Sequence, residues 1–323
     1  MSKLLAVDVG YSQVKVVDDR GGKFLFPSFV DRSFSTGIKL GGGMDETVMT
    51  CGGICQGKSY VVGGNSSSSL NLAANFHGTP EWYALMCKAM FDHLGSMGGK
   101  VTDTQLEYLG IGVPLDQRKN EKVKEMEQFN FFEFSVDGTP YTARADKVVV
   151  FPQGMAMLQE IDFHEDEEIG LIDIGYKTLD VMVLDGGSLV SDSYTSLSFG
   201  VKDVLGKIKD QFKAKTGATL SDRRAQKLLR TKKQTYGRET ISMAKEVKEI
   251  TEGYWNNLLK EIRPFWGEIE MLDRIVVGGG GAVLLGDIFK SKLAGNIQVE
   301  IMDDPVFGNV TGYMKSLHSL AGE

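Results

Sequence analysis

The sequence predicts an α/β protein made of two similar domains, and three observations predict it. A length of 323 residues exceeds what one hydrophobic core usually supports, so two domains are expected. The stretch AVDVGYSQVKVVDDRGG at 6–22 returns without a gap as LIDIGYKTLDVMVLDGG at 171–187, an offset of 165 residues. Asp8 then meets Asp173, Gly10 meets Gly175, Tyr11 meets Tyr176, and Lys15 is answered by Asp180. Strand-like and helix-like stretches also alternate in each half, as in α/β architecture. Two related α/β domains flanking a cleft are the result.

Each copy of the repeat opens with a short β-rich run ending in Asp, LLAVD and GLID. A tight glycine-containing turn, a second strand (VKVVD or LDVMVL) and a Gly-Gly turn follow, which is a β-hairpin pattern. Gly10 and Gly175 lack a Cβ, so each turn can bring backbone N–H groups close to another object, and a row of N–H groups cradles an anion. A carboxylate beside a phosphate is repulsive unless a divalent cation lies between them, and Mg²⁺ is often held by one or two carboxylates together with substrate phosphates. Lys15 offers a point positive charge to a phosphate oxygen. The bland alternative is a pair of unrelated hairpins whose Asp-x-Gly merely turns the chain; ungapped recurrence argues against it.

Between the hairpins, 81–94 has helical periodicity, VTDTQLEYLGIGVPLD reads as a strand, and 117–128 as a charged helix. VDGTPYTARADKVVVFPQG reads as further strands leading into a helix over about 154–161. After the second hairpin, 201–216 and 221–231 read as helices, the latter with Ser221-Asp222 as N-cap chemistry. A long amphipathic helix over about 241–265 ends near Arg263-Pro264. Met271–Phe289 is a buried-looking strand, four glycines and a helical pattern, a loop that lets a nucleotide approach the backbone. It is neither a Walker loop, since no Lys-Ser/Thr follows, nor a dinucleotide fingerprint. SSSS at 66–69 reads as a loop, GGG at 41–43 as the tip of a surface hairpin, and HEDEE at 164–168 as a solvated turn.

Composition sets the outer bounds. A net charge of −7 argues against direct nucleic-acid binding, because phosphate binding needs a positive field. No apolar run approaches the ~20 residues that span a bilayer, and MSKLLAVDVG enters a strand without a signal peptide, so a cytoplasmic protein is expected. Cys51, Cys55 and Cys87 fit reduced thiols there; no paired Cys/His cluster completes a metal half-site at Cys51 and Cys55. His77, His93, His164 and His318 share no spacing that would make a triad or a metal site.

The two Asp-x-Gly hairpins and the late Gly-Gly-Gly loop, in that order, resemble the phosphate-1, phosphate-2 and adenosine motifs of the actin/Hsp70/sugar-kinase ATPase superfamily. Within it the likeness is strongest to the ParM-type bacterial and archaeal actin-like proteins that move plasmids. IDIGYKTLDVMVL, GIGVPLD, VVVFPQGMAMLQE and DPVFGNVTGYMKSL all fit that layout, while 33–75 cannot be placed residue by residue. The resemblance implies an actin-like ATPase fold, two RNase H-like α/β domains flanking a nucleotide cleft. Domain I would cover 1–165, with a small insertion at about 33–75 and the helix at about 305–323 returning to it; domain II would cover 166–304. It implies binding of ATP or ADP by Gly10, Tyr11, Ser12 and Lys15 in one hairpin and by Gly175, Tyr176, Lys177, Thr178 and Asp180 in the other. Asp8 and Asp173 would hold Mg²⁺ through its water shell, and Gln153 would orient the attacking water. Gly278, Gly279 and Gly280 would face the adenosine. Lys202, Lys227 and Arg230 are purine-pocket candidates by position, although KLLRTKK is more simply a solvated basic helix face.

The function implied is a filament-forming ATPase: Mg-ATP closes the cleft, subunits assemble head to tail, and hydrolysis destabilises the polymer. Its partners would be further copies of itself and a DNA-binding adaptor, with no membrane, in plasmid segregation or a prokaryotic cytoskeletal role. The competing functions are a small-molecule kinase of the same fold, for which the first domain shows no clear catalytic carboxylate, and a low-turnover nucleotide-binding scaffold.

Overall fold

In the computed structural model the described residues are 3–32, 46–64, 76–98, 101–117, 120–293 and 297–322. The expected loop at 66–69, the hairpin tip at 41–43 and most of the insertion at 33–75 lie outside them. The chain divides into two compact units, one formed by 1–66, 70–160 and 309–323, the other by 67–69 and 161–308.

Unit 1 begins with strands β1 (Leu4–Val9), β2 (Gln13–Asp18), β3 (Lys23–Pro27), β4 (Val30–Arg32), β5 (Thr47–Cys51) and β6 (Lys58–Val62). Helix α1 (Pro80–Ser96), β7 (Asp103–Val113), α2 (Asn120–Glu127), β8 (Phe131–Val136) and β9 (Thr139–Pro152) follow. Its sheet has the order β3-β2-β1-β7-β9-β8-β5-β6-β4. The helix expected over about 154–161 is instead a six-residue 3-10 helix, Met155–Glu160, entered through Gly154 at φ +80°. Its residues are ordinary helix formers, but the segment is short and its bonding is set by what packs on it.

Unit 2 contains β10 (Glu168–Ile174), β11 (Leu179–Asp185), β12 (Ser188–Leu189), β13 (Thr195–Leu197), α3 (Val201–Thr216) and α4 (Asp222–Thr231). These are followed by β14 (Lys233–Tyr236), β15 (Glu239–Ser242), α5 (Ala244–Trp266), β16 (Arg274–Gly278), α6 (Ala282–Leu293) and β17 (Gln298–Ile301). Ser221 caps α4 by accepting the Arg224 N–H at 3.4 Å. The long helix starts at Ala244, because Ile241 belongs to the β14–β15 hairpin, and it runs through Pro264 to Trp266 instead of stopping there. The main sheet has the order β12-β11-β10-β16-β17, with β13 also on β11. Helix α7 (Gly308–Ala321) then joins unit 1.

The two sheets carry the sequence repeat into three dimensions. β1 pairs antiparallel with β2 and parallel with β7; β10 pairs antiparallel with β11 and parallel with β16. The registers agree: Asp8 lies opposite Lys15, and Asp173 lies opposite Asp180. Each unit encloses its own apolar core. Leu5, Val7, Val16, Trp82 and Leu109 lie in the first, and Ile172, Val181, Ile208, Leu258 and Val277 in the second. Burial of this kind is the main stabilising contribution.

Candidate functional site

Asp8 sits near the end of β1 with 2% exposure. Such a carboxylate needs partners, and it has two. The Lys15 ammonium lies 2.8 Å from Oδ2, and Gln153 donates through Nε2 to Oδ1 at 2.7 Å. A carboxylate only accepts, so Gln153 must turn its NH₂ toward Asp8 and keep its carbonyl oxygen for another donor. The two residues are 145 positions apart and meet because β7 lies beside β1 and β9 beside β7; the Gln153 N–H also bonds the Val113 carbonyl at 2.8 Å.

The turn after β1 closes when Gly10 N–H donates to the Gln13 carbonyl at 3.1 Å. Ser28 secures it from outside, donating Oγ–H to the Gly10 carbonyl at 2.6 Å and N–H to the Ser12 carbonyl at 2.9 Å. The Tyr11 ring packs on Phe76 at a centroid distance of 5.1 Å. His77 follows Phe76, is buried, and has its pKa pushed down to about 4 by that burial against the opposing pull of Asp8.

In unit 2, Asp173 is 6% exposed and Asp180 4%. Gly175 N–H donates to the Thr178 carbonyl at 2.9 Å, and a Cβ at Gly175 would lie 2.8 Å from that oxygen. The turn carbonyls then start a helix: Gly175 and Tyr176 accept the N–H groups of Val201 (3.2 Å) and Lys202 (2.8 Å) in α3. The Tyr176 side chain points to α4, its hydroxyl hydrogen-bonded to Asp222, which also pairs with Lys209. Those bonds hold the Asp222 carboxyl below its usual range although burial pushes it up. Burial lowers the Lys177 ammonium pKa, and the neighbouring charge of Lys202 lowers it further.

The glycine run after β16 is not uniform. Gly278 ends the strand beside Asp173. Gly279 has φ +81°, and a Cβ there would collide with the Asp173 carboxylate and lie 2.6 Å from the Ile174 carbonyl oxygen. Gly281 donates its N–H to the Ile174 carbonyl at 2.7 Å. A Cβ at Gly280 would meet nothing within 4 Å. Gly279 and Gly281 are therefore needed for close packing, whereas Gly280 is open. Lys202, Lys227 and Arg230 are exposed, the last two on the outer face of α4. The three cysteines are free and fully buried, and among the described residues no three His, Cys, Asp or Glu side chains group as a metal site.

Three supporting residues have no role in the sequence reading: Ser28, His77 and Asn309. Asn309, in α7, accepts the Gly154 N–H through Oδ1 at 2.7 Å, next to Gln153. Only Asn309 lay within a motif already singled out, the stretch DPVFGNVTGYMKSL.

Two α/β units that repeat one strand pattern, each with a buried Asp near the end of its first strand and a hairpin beside it, carry the pattern of an actin-like fold. The family comparisons agree. Residues 6–155 match the model "Actin like proteins N terminal domain", and 171–291 match "Archaeal actin homologue MreB-like, C-terminal". Together the two matches span most of the chain, which has the actin-like ATPase fold. It is 26% identical to an archaeal actin homolog of Thermoplasma volcanium, over 96% of this chain and 97% of the relative. Among solved structures, it is similar to the archaeal actin homolog Ta0583, with a TM-score of 0.80 at 22% identity over 99% of this chain and 100% of that one. A complex of the same homolog with ADP gives 0.78 at 20% identity over 99% and 100% of the two chains. A subunit of a 15-stranded ParM filament from Clostridium botulinum gives 0.73 at 21% identity, over 98% of this chain and 99% of that one.

Proposed function

We propose that the protein is an ATPase that polymerises with Mg-ATP and disassembles after hydrolysis, serving DNA segregation or another prokaryotic cytoskeletal task. The observation that carries this reading is the repeated hairpin in matched register, with Asp8 bonded to Gln153 in one unit and Asp173 seated on the glycine loop in the other. The ADP complex of one relative and the filament of another support the same reading.

In unit 1, Gly10, Tyr11, Ser12 and Lys15 would present the first hairpin to phosphate. In unit 2, Gly175, Tyr176, Lys177, Thr178 and Asp180 would present the second, with Gly278, Gly279 and Gly280 toward the nucleoside. Asp8 and Asp173 are the buried oxygen donors that would hold a hydrated Mg²⁺, whose contribution is to neutralise phosphate charge. Gln153 is too weak a base to take a proton; held by Asp8, it positions the attacking water through its carbonyl oxygen. A DNA-binding adaptor would link the polymer to cargo.

Light scattering and phosphate release, followed on one sample with Mg-ATP and no added acceptor, test the proposal. Both signals should rise, and scattering should then decay. Scattering without phosphate release would make the protein a low-turnover scaffold. No scattering over a wide range of protein and salt concentration would overturn polymerisation.

A further inference from the structure

The net charge of −7 averages over a sharp segregation. Residues 201–238 hold twelve Lys and Arg against three Asp, so the rest of the chain carries −16. The excess is densest at 222–238, where seven Lys and Arg face one Asp, a local +6. Salt screens exposed charges from one another beyond about 8 Å at physiological ionic strength, so a partner that touches this stretch responds to its local field. The chain average argues against nucleic acid; the local field does not.

Helix α4 presents Arg223, Arg224, Lys227 and Arg230 to solvent, while Ala225, Leu228 and Leu229 are buried in the unit 2 core. The four cations run about 10 Å along the helix at 1.5 Å per residue. The chain then passes through Lys232, left-handed at φ +57°, directly into the β14–β15 hairpin. Met243 N–H closes the base of that hairpin on the Lys232 carbonyl at 2.8 Å. Lys232, Lys233 and Arg238 are exposed there, and the Tyr236 ring holds the hairpin edge-on against Phe212 at 6.2 Å. Glu239 pairs with Tyr236 in register, which puts it on the opposite face from Lys233. None of these seven cations has an ion-pair partner among the described residues. Helix α5 is the contrast: Lys245 lies 3.8 Å from Glu249 one turn on, and Glu246 pairs with Lys215 at 2.9 Å. A merely solvated face mixes signs as α5 does. On α4, Lys227 lies one turn from both Arg223 and Arg230, and two arginines occupy the first turn. Like-charge repulsion opposes the first arrangement and the helix dipole the second. Local costs kept in this way mark a surface that meets an anion.

We infer that α4 and the β14–β15 hairpin bind the phosphate backbone of duplex nucleic acid directly, without an adaptor. Four chemistries compete for a cationic face, and three need a feature it lacks. A membrane-surface helix inserts an apolar side, but the apolar side of α4 is buried. An acidic protein partner needs an apolar centre to the contact, and Tyr236, the one large exposed apolar side chain of 222–242, is turned onto Phe212. A single strand needs rings on which bases stack, and the same tyrosine is the only ring there. A duplex backbone needs only closely spaced cations, since it carries a negative charge per about 1.7 Å of axis. Phosphate contacts carry no sequence information, so the binding is sequence-independent. The inference requires neither nucleotide turnover nor a polymer.

The experiment follows the fluorescence anisotropy of a labelled DNA duplex of about 20 base pairs with the full chain, without nucleotide. Wild type should bind with a Kd of about 1–100 µM near 0.1 M salt, and equally to two duplexes of unrelated sequence. For about five neutralised phosphates, log affinity should fall against log salt with a slope of about −4 to −5. Arg223→Gln/Arg224→Gln and Lys233→Gln/Arg238→Gln should each weaken binding about tenfold or more and reduce the slope by about 2. Lys260→Gln/Arg263→Gln makes the same change in net charge on α5, roughly 24 Å from its start, and should bind within about twofold of wild type. All six positions are exposed, so the variants should keep the wild-type fold, which thermal melts check. No wild-type binding up to about 1 mM protein at low salt would overturn the surface. Wild-type affinity in either patch variant, or an equal loss in the α5 variant, would overturn it as well. Tighter binding to a single strand of the same length would overturn the duplex assignment. Co-sedimentation with phosphatidylserine vesicles and no duplex binding would reassign the face to membranes.

Discussion

At the residue scale, the glycine loop and Gln153 give sharp expectations. Gly279→Ala forces a side chain into a φ of +81° and against the Asp173 carboxylate, so it should cost about 2–4 kcal/mol of stability. Gly280→Ala should change stability by less than about 1 kcal/mol, because its Cβ would meet open space. Thermal melts of the two variants side by side decide this, and equal melting temperatures would remove the packing role of Gly279. Bulk at Gly280, not at Gly279, is the cleaner probe of nucleotide approach. Gln153→Ala should still bind Mg-ATP but slow hydrolysis on the order of 10–10³-fold, as for a lost positioning group. Filaments should then persist; sedimentation over time showing wild-type disassembly in the mutant would end the water-positioning role. His77 adds a pH dependence. Its folded pKa of about 4 lies below the unfolded value near 6.5, so the unfolded chain takes up the proton first. This group's contribution to stability is intact above about pH 6.5 and is lost as pH falls toward 4, amounting to about 2 kcal/mol at pH 5. Urea melts at pH 7.5 and pH 5 should show that loss in wild type and less of it in His77→Gln. An unchanged pH slope in the variant would mean that the loss comes from other groups.

At the scale of elements, α7 clamps the segment that carries Gln153. Asn309 bonds the Gly154 N–H, Gly312 packs on the Ala156 carbonyl without room for a Cβ, and Lys315 donates to the Gln159 carbonyl at 2.9 Å. Asn309→Ala strands a buried N–H, so it should cost about 1–3 kcal/mol and slow hydrolysis by loosening Gln153. A destabilised variant with unchanged phosphate release per folded molecule would separate the clamp from turnover. This coupling also marks where sequence reading stops. The hairpins, α3 and α4 were legible because their cues are local: repeated Asp-x-Gly, helical periodicity and a Ser-Asp cap. The Gln153–Asp8 bond joins residues 145 apart through the order of three strands, and no local signal carries it. Residues 232–240 carry no assignment in the sequence reading, which starts the long helix at about 241, because β14 and β15 are mostly exposed and polar; the cue passed over is Gly237, at φ +62° in a two-residue turn. The 3-10 segment was misread because the surface of α7, not its own composition, sets its shape.

For the whole molecule, chain order and unit order differ. Unit 2 is almost wholly one continuous segment, 161–308, whereas unit 1 needs α7 from beyond it. Val310, Tyr313 and Leu317 of α7 are fully buried, with Tyr313 stacked on Phe151 at 5.0 Å and Leu317 against Gly110. A fragment of 161–308 should therefore fold and melt cooperatively, while 1–160 without α7 should bind a hydrophobic dye and melt broadly. A sharp transition from 1–160 alone would show that α7 is an accessory to that core. Synthesis on the ribosome gives this discontinuity a temporal meaning. At about 5–20 residues per second, the sheet of unit 1 waits roughly 10–30 s for α7 after β9 has been made. Unit 2 can fold during that wait, and the Gln153 segment is seated only afterwards. A nascent chain would then be unable to turn over nucleotide until α7 had emerged, which would keep half-made subunits on polysomes out of any growing polymer. Protease protection of chains stalled before and after α7 should show unit 2 resistant in both and unit 1 resistant only in the second.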